Sequence, residues 1–206
     1  YTKMFEELDE AIEILGRNTT LPAEAWSRYD GVYYGNIAQW LKYANSLKLR
    51  MAMRLSYVKP DIARAKAAEA IAGGIITVNA DNAAMHAAEN RMTLIYNDWG
   101  DHRVGADIIS YLDGYDDPRL EKMFLPNDVD DYVGIRIGID VAGKSTAMSK
   151  YSNMIVASDT PYLWFNAAEA TFLHAEYELR WGSAETAKTL YEQAVRLSFE
   201  ERGASG

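Results

Sequence analysis

Cysteine is absent from this chain, which excludes disulfides, thiolate-held metals and cysteine nucleophiles. Histidine is nearly as scarce. His86, His102 and His174 are the only three, and no two stand four apart, the spacing that sets a zinc pair on one helix face. His174-Ala175-Glu176 has the His-x-Glu form of the zinc deaminases, but that chemistry needs cysteine ligands. No stretch has the twelve-residue calcium loop with its terminal Glu. The glycines are scattered, and none forms a phosphate-cradling loop. No apolar run approaches the ~18 residues of a membrane span, and the amino-terminal residues lack the signal-peptide pattern. Basic charge is in deficit: 21 Lys and Arg against 30 Asp and Glu leave a net charge of −9. That argues against nucleic acid or an anionic membrane as partner and suits a neutral ligand or a basic protein surface. No cofactor and no metal site are expected.

What remains is an ordinary globular composition, 49% apolar and 25% charged, in a length that buries roughly 70% of its unfolded surface. The organising stretch is 161–199, which reads as two antiparallel helices. The first is expected to begin at Pro161 and to carry Leu163, Ala167, Ala170, Leu173, Ala175 and Tyr177 near helical spacing. Gly182 is expected to end it in a left-handed cap, and Ser183 offers an N-cap to the second helix. There Ala187, Leu190, Tyr191, Ala194 and Leu197 form one apolar stripe, with small residues where a neighbour approaches. This is the pattern of a tetratricopeptide helix pair.

Residues 1–15 predict an amphipathic helix with Phe5, Leu8, Ile12 and Leu15 on one face. Residues 37–58 carry the strongest helical signal, with Trp40, Tyr43, Ala44, Leu47, Met51 and Leu55 aligned. Pro60 is expected to stop that helix, and 61–72 to supply its partner through Ala63, Ala67 and Ala70. Irregular structure is expected over 84–100, a helix over 104–113 and a short one over 120–124, closed by Pro126. Residues 127–160 are the one plausible strand region, centred on Tyr132–Ile139, and 142–149 read as a linker. The fold class is therefore mostly α: tetratricopeptide-like helix pairs with a long irregular insertion containing little strand. The scaffold is placed at 1–73 and 160–200 and the insertion at 74–159, within a single domain over 1–206.

No carboxylate pair is placed across a cleft, so no catalytic residue is assigned. Asp98, Asp101, Asp116, Asp117, Asp130 and Asp131 lie in predicted loops, where Asp side chains bond local backbone N–H groups. Glu169 and Glu176 share a face of an apolar helix and need partners; Arg50 or Arg54 of the 37–58 helix is the expected source. Trp40, Trp164 and Trp181 read as packing. The candidate ligand contacts are aromatic and polar groups close together in a loop: Tyr96, Asn97, Asp98, Trp99 and Arg103, with Tyr132 beside them. An aromatic face with a few hydrogen-bonding groups is what a neutral sugar requires.

Several strings resemble the SusD/RagB family of outer-membrane lipoproteins. The most specific is Trp40-x-Lys42-Tyr43-Ala44-Asn45-Ser46-Leu47-Lys48-Leu49-Arg50-Met51-Ala52-Met53-Arg54. Others are Tyr34-Gly35-Asn36, the Asp117-Pro118-Arg119 turn, Ala168-Glu169, Phe172-Leu173, Ala175-Glu176, the Gly182 turn and Tyr191 through Ser198-Phe199. The similarity runs from about residue 29 to the end, and it departs from the family at both ends. It implies non-enzymatic capture of an oligosaccharide or other nutrient, passed to a SusC-like TonB-dependent outer-membrane transporter. It implies a cell-surface, lipid-anchored location as well. The chain opens on Tyr1 and so reads as an internal fragment, with the anchoring cysteine expected outside it. The alternative is a tetratricopeptide-like protein–protein interaction scaffold without a small-molecule ligand.

Overall fold

A computed structural model of the chain describes residues 1–205; Gly206 lies outside the described residues. The fold is mostly helical, with four short strands among the described residues. The chain divides into two compact units, one formed by 1–86 with 162–198, the other by 87–161 with the segment from Phe199 onward.

The first unit holds the helix pairs. Helix α1 spans Thr2–Arg17, α2 Ile37–Arg54, α3 Pro60–Gly73, α8 Ala167–Trp181 and α9 Ala184–Glu201, of which the part up to Ser198 belongs to this unit. α2 is central and packs against α1, α3 and α8. The alanines of α3 explain how close the approach is. Ala63, Ala67 and Ala70 recur at i, i+4 and i+7 and are fully buried, so backbone meets backbone where larger side chains would hold the helices apart. Leu49 and Ala52 of α2, Phe165, and Ala167 and Ala170 of α8 complete a core with no solvent contact to speak of. Polar groups inside it are bonded, as burial demands. Ser46 Oγ donates to Lys42 O at 2.8 Å and accepts from Ile76 N–H at 2.8 Å.

Several boundaries differ from the sequence reading. α2 ends at Arg54, and Pro60 opens α3, where its missing N–H costs nothing. The stretch after Pro161 is strand β4, Tyr162–Phe165, antiparallel to β1, Ala83–Met85. α8 starts only after Asn166, whose side chain accepts from Glu169 N–H at 2.8 Å. Gly182 has φ −121°, outside the left-handed region. Its role is room: a Cβ there would lie 1.9 Å from the Glu178 Oε2, the atom that accepts from Ser183 N–H at 3.0 Å.

The second unit holds α4 (Met92–Asn97), α5 (Ala106–Gly114), α6 (Leu120–Met123), β2 (Phe124–Leu125), α7 (Lys144–Lys150) and β3 (Asn153–Met154). Its core is Val104, Ile109, Leu112 and Phe124, with Tyr132 and Met154 packed on it. The expected strand over Tyr132–Ile139 is reduced to a single bridge between Ile135 and Gly105. Strand appears instead as the β2–β3 pair. Gly134 allows that bridge, since a Cβ on it would sit 2.5 Å from Ala106 Cα. The supposed linker at 142–149 is largely helix α7, and the supposed irregular 84–100 contains α4.

Candidate ligand-binding site

The turn after α4 gathers most of the candidate residues. Trp99 N–H bonds Leu94 O at 3.2 Å, Gly100 N–H bonds Tyr96 O at 3.0 Å, and Asp101 N–H bonds Ile95 O at 3.0 Å. These bonds fold the chain back over the last turn of the helix. Gly100 takes φ +64°, a left-handed conformation that favours glycine. The reversal leaves Asn97 and Asp98 exposed and turns Trp99 outward, 53% exposed.

Around the turn the side chains lock one another. Tyr96 stacks on His102 with ring centroids 5.8 Å apart and planes at 21°. Both nitrogens of His102 are engaged, Nδ1 with Asn153 Oδ1 and Nε2 with Met92 O, each at 3.1 Å. The Arg103 guanidinium lies 5.1 Å from the Tyr96 ring centre. Its Nε donates to Ala147 O at 3.0 Å and its Nη1 to His102 O. Burial pushes the guanidinium below its ordinary pKa, because a charge is less stable where water is excluded.

Beside this turn runs a groove of about 600 Å³, lined by Gly100, Asp101, His102 and Arg103 on one side and by Ile135, Val141 and residues of α7 on the other. Lys144 of α7 reaches across it. Its Nζ donates to Trp99 O at 3.0 Å and pairs with the Asp101 carboxylate. The volume falls in the ordinary range of ligand clefts, roughly 300–1,000 Å³. An exposed indole one residue from Gly100 of the groove, and polar groups on its walls, suit a ligand with an apolar face and a polar rim.

Tyr96, Asn97, Asp98, Trp99 and Arg103 thus share one turn. Tyr132 lies outside that turn and packs on the Val104–Phe124 core; burial and the nearby Glu121 and Asp130 raise its phenol pKa. The sequence reading missed Lys144, Ala147 and Val141, because Ser, Gly, Thr and Ala over 142–149 signal a linker and α7 carries no apolar stripe strong enough to contradict that. It also passed over Trp26 and Tyr29. These are 52% and 82% exposed beside an apolar cleft of about 550 Å³ in the first unit, floored by Trp40.

The scaffold carboxylates are accounted for by pairing. Glu169 accepts from Arg50 Nε and Nη2, both at 2.6 Å, and that guanidinium lies 3.9 Å from the Phe165 ring centre. Glu176 pairs within its own helix, with Arg180 at 2.7 Å; Arg54 is exposed and holds neither. No group of three or more His, Asp or Glu among the described residues is arranged to hold a metal, and no described helix is long and apolar enough to cross a membrane.

The family model that matches is SusD-like, described as Susd and RagB outer membrane lipoprotein, over residues 1–206. Among solved structures, a SusD homologue from Bacteroides thetaiotaomicron is 46% identical with a TM-score of 0.95. One from Bacteroides uniformis is 40% identical with a TM-score of 0.88. A chitin-binding SusD homologue from Flavobacterium johnsoniae is 36% identical with a TM-score of 0.89. Each match covers 100% of this chain and 45% of the other, so the chain spans a little under half the length of these relatives. No curated protein sequence matches it.

Proposed function

This chain belongs to the SusD-like family of Susd and RagB outer membrane lipoproteins, and we propose that it captures a glycan nutrient at the cell surface without transforming it. The ligand would lay an apolar sugar face on Trp99 and extend into the groove bounded by Arg103, Ile135 and α7. Asn97 and Asp98 would meet its hydroxyls from the rim. The observation that carries this reading is the exposed Trp99, which directly precedes Gly100 of the 600 Å³ groove and whose carbonyl is held by Lys144 of the same groove. The chitin-binding relative from Flavobacterium johnsoniae, 36% identical, supports a saccharide as cargo. The helix-pair unit would serve as scaffold within the one domain. Delivery would be to a SusC-like TonB-dependent transporter, with membrane attachment through a lipid anchor outside this chain.

Calorimetric titration against chito-, cello- and malto-oligosaccharides tests the proposal, with Trp99→Ala as control. Saturable binding to at least one series, weakened about tenfold or more in the variant, is expected from loss of an aromatic platform. Binding that survives Trp99→Ala moves the site elsewhere, and no binding to any saccharide, neutral or acidic, removes the capture reading.

A second reading, an interaction scaffold for another protein, is favoured by one observation: the apolar cleft beside Trp26 and Tyr29. It predicts that Trp26→Ala abolishes a protein contact, while sugar titrations of the parent chain give no heat.

A further inference from the structure

Among the described residues, the lysines and arginines that are wholly or partly buried face carboxylates, with one exception. Lys42 meets Asp81, Lys48 meets Asp9 and Glu69, Arg50 meets Glu169, Lys66 meets Asp9, Arg119 meets Asp117 and Arg180 meets Glu176. The pattern has a physical cause: a cation drawn away from water is costly unless an opposite charge sits beside it. Arg103 is the exception. Its Nε and Nη1 are bound to carbonyl oxygens, its face lies on Tyr96, and its Nη2 is buried with no hydrogen-bond partner.

Arg103 also differs from the paired cations in where it lies. It forms part of the wall of the groove beside Trp99. Its charge is delocalised over the whole guanidinium, so that wall is cationic although one nitrogen is covered. Lys144 at the mouth adds a second positive charge, which Asp101 offsets. The groove therefore carries one uncompensated positive charge in a chain whose net charge is −9. A neutral sugar leaves that charge unanswered. A carboxylate on the ligand would answer it through charge, since the nitrogens themselves are bound to carbonyls or covered.

We propose that the groove selects an acidic saccharide, one bearing a uronate carboxylate, with Arg103 supplying the counter-charge and Trp99 the stacking surface. The inference rests on the capture reading above and names its cargo class. Trigalacturonate is compared with uncharged galactotriose by calorimetry, on the full chain and on Arg103→Gln, at low and at raised salt. Trigalacturonate is expected to bind at least about tenfold more tightly, about 1.4 kcal/mol, with the ratio shrinking as salt screens the attraction. In Arg103→Gln the ratio should collapse toward one. Because Arg103 also holds Ala147 O, this variant's melting curve is recorded, and Lys144→Gln gives a second reading: its acid-to-neutral ratio should fall about threefold. Equal affinity for the two sugars in the parent chain, or a ratio that survives both substitutions, overturns the acidic preference and leaves capture standing. Binding of neither sugar, alongside saturable binding of a chito- or malto-oligosaccharide, likewise overturns the preference alone. Binding of no sugar at all overturns both.

Discussion

Trp40 donates its indole N–H to Asp30 Oδ2 at 2.7 Å, tying the loop after α1 to the first turn of α2. The same carboxylate accepts the backbone N–H groups of Val32 at 2.9 Å, Tyr33 at 3.1 Å and Gly35 at 2.9 Å. Burial acts to raise this carboxyl's pKa, and the four donated hydrogen bonds outweigh it, so the group sits below the ordinary carboxylate range.

Asp30→Asn should therefore destabilise the chain by about 2 kcal/mol, since hydrogen bonds to a charged group contribute roughly 1.5–3 kcal/mol each and the amide cannot accept at every position. The pH dependence has a definite sign. A folded-state pKa below the unfolded value of 3.8 means the stabilisation is present above that value and is lost as pH falls through the folded pKa. Urea midpoints at pH 7, 4 and 3 check both points. The difference between parent and Asp30→Asn should narrow toward pH 3.

The Arg50–Glu169 pair joins α2 to the start of α8 through two 2.6 Å bonds. Both side chains keep some solvent contact, so a double-mutant cycle of Arg50→Met and Glu169→Gln is expected to give a coupling of about 1 kcal/mol, above that of an ordinary surface pair. Arg50→Lys should recover less than half of it, because an ammonium cannot make the two-pronged contact. A coupling near zero by chemical denaturation would show the pair to be incidental.

Gly134→Ala should be more damaging than its size suggests. The added methyl would lie 2.5 Å from Ala106 Cα and 2.6 Å from Gly105 O, where only backbone can give way. A loss of roughly 1–3 kcal/mol is expected from overpacking, together with weakened binding, since Ile135 next door lines the groove. Thermal melts and sugar titrations on the same preparation test the two effects.

Trp99 and Tyr132 should separate cleanly. Trp99→Ala removes an outward-facing ring and is expected to change stability by less than about 0.5 kcal/mol. Tyr132→Ala removes a ring packed on Phe124's cluster and is expected to cost about 3 kcal/mol. If the stabilities came out in the reverse order, the assignment of one to the ligand and the other to the core would fail.

Much of the scaffold is legible before any coordinates. The stripe of 37–58, the alanines of 61–72 and the small residues of α9 are local patterns, and each names the face its helix buries. The need of Glu169 for a basic partner is legible too, because a carboxylate on an apolar helix face requires one wherever it comes from. The candidate turn is legible as a cluster of aromatic and polar side chains within eight residues, 96–103. The packing of Tyr132 on the Val104–Phe124 cluster is not legible, because residue type alone says nothing about which core claims a ring.

What the chain alone determines here is therefore periodic and short in range: which segments become helices and which faces they bury. Tertiary structure decides the rest. Tyr162–Phe165 becomes strand although its sequence continues a helical pattern, because Ala83–Met85 offers its backbone partners across the fold, and hydrogen bonds to a neighbouring strand outweigh a weak local preference. Residues 144–150 become helix and close a groove against a turn some 45 residues earlier, at the Lys144–Trp99 bond. The unpaired state of Arg103 is likewise invisible in the sequence. A missing counter-charge is a property of everything packed around the guanidinium, and only the folded chain states what that is.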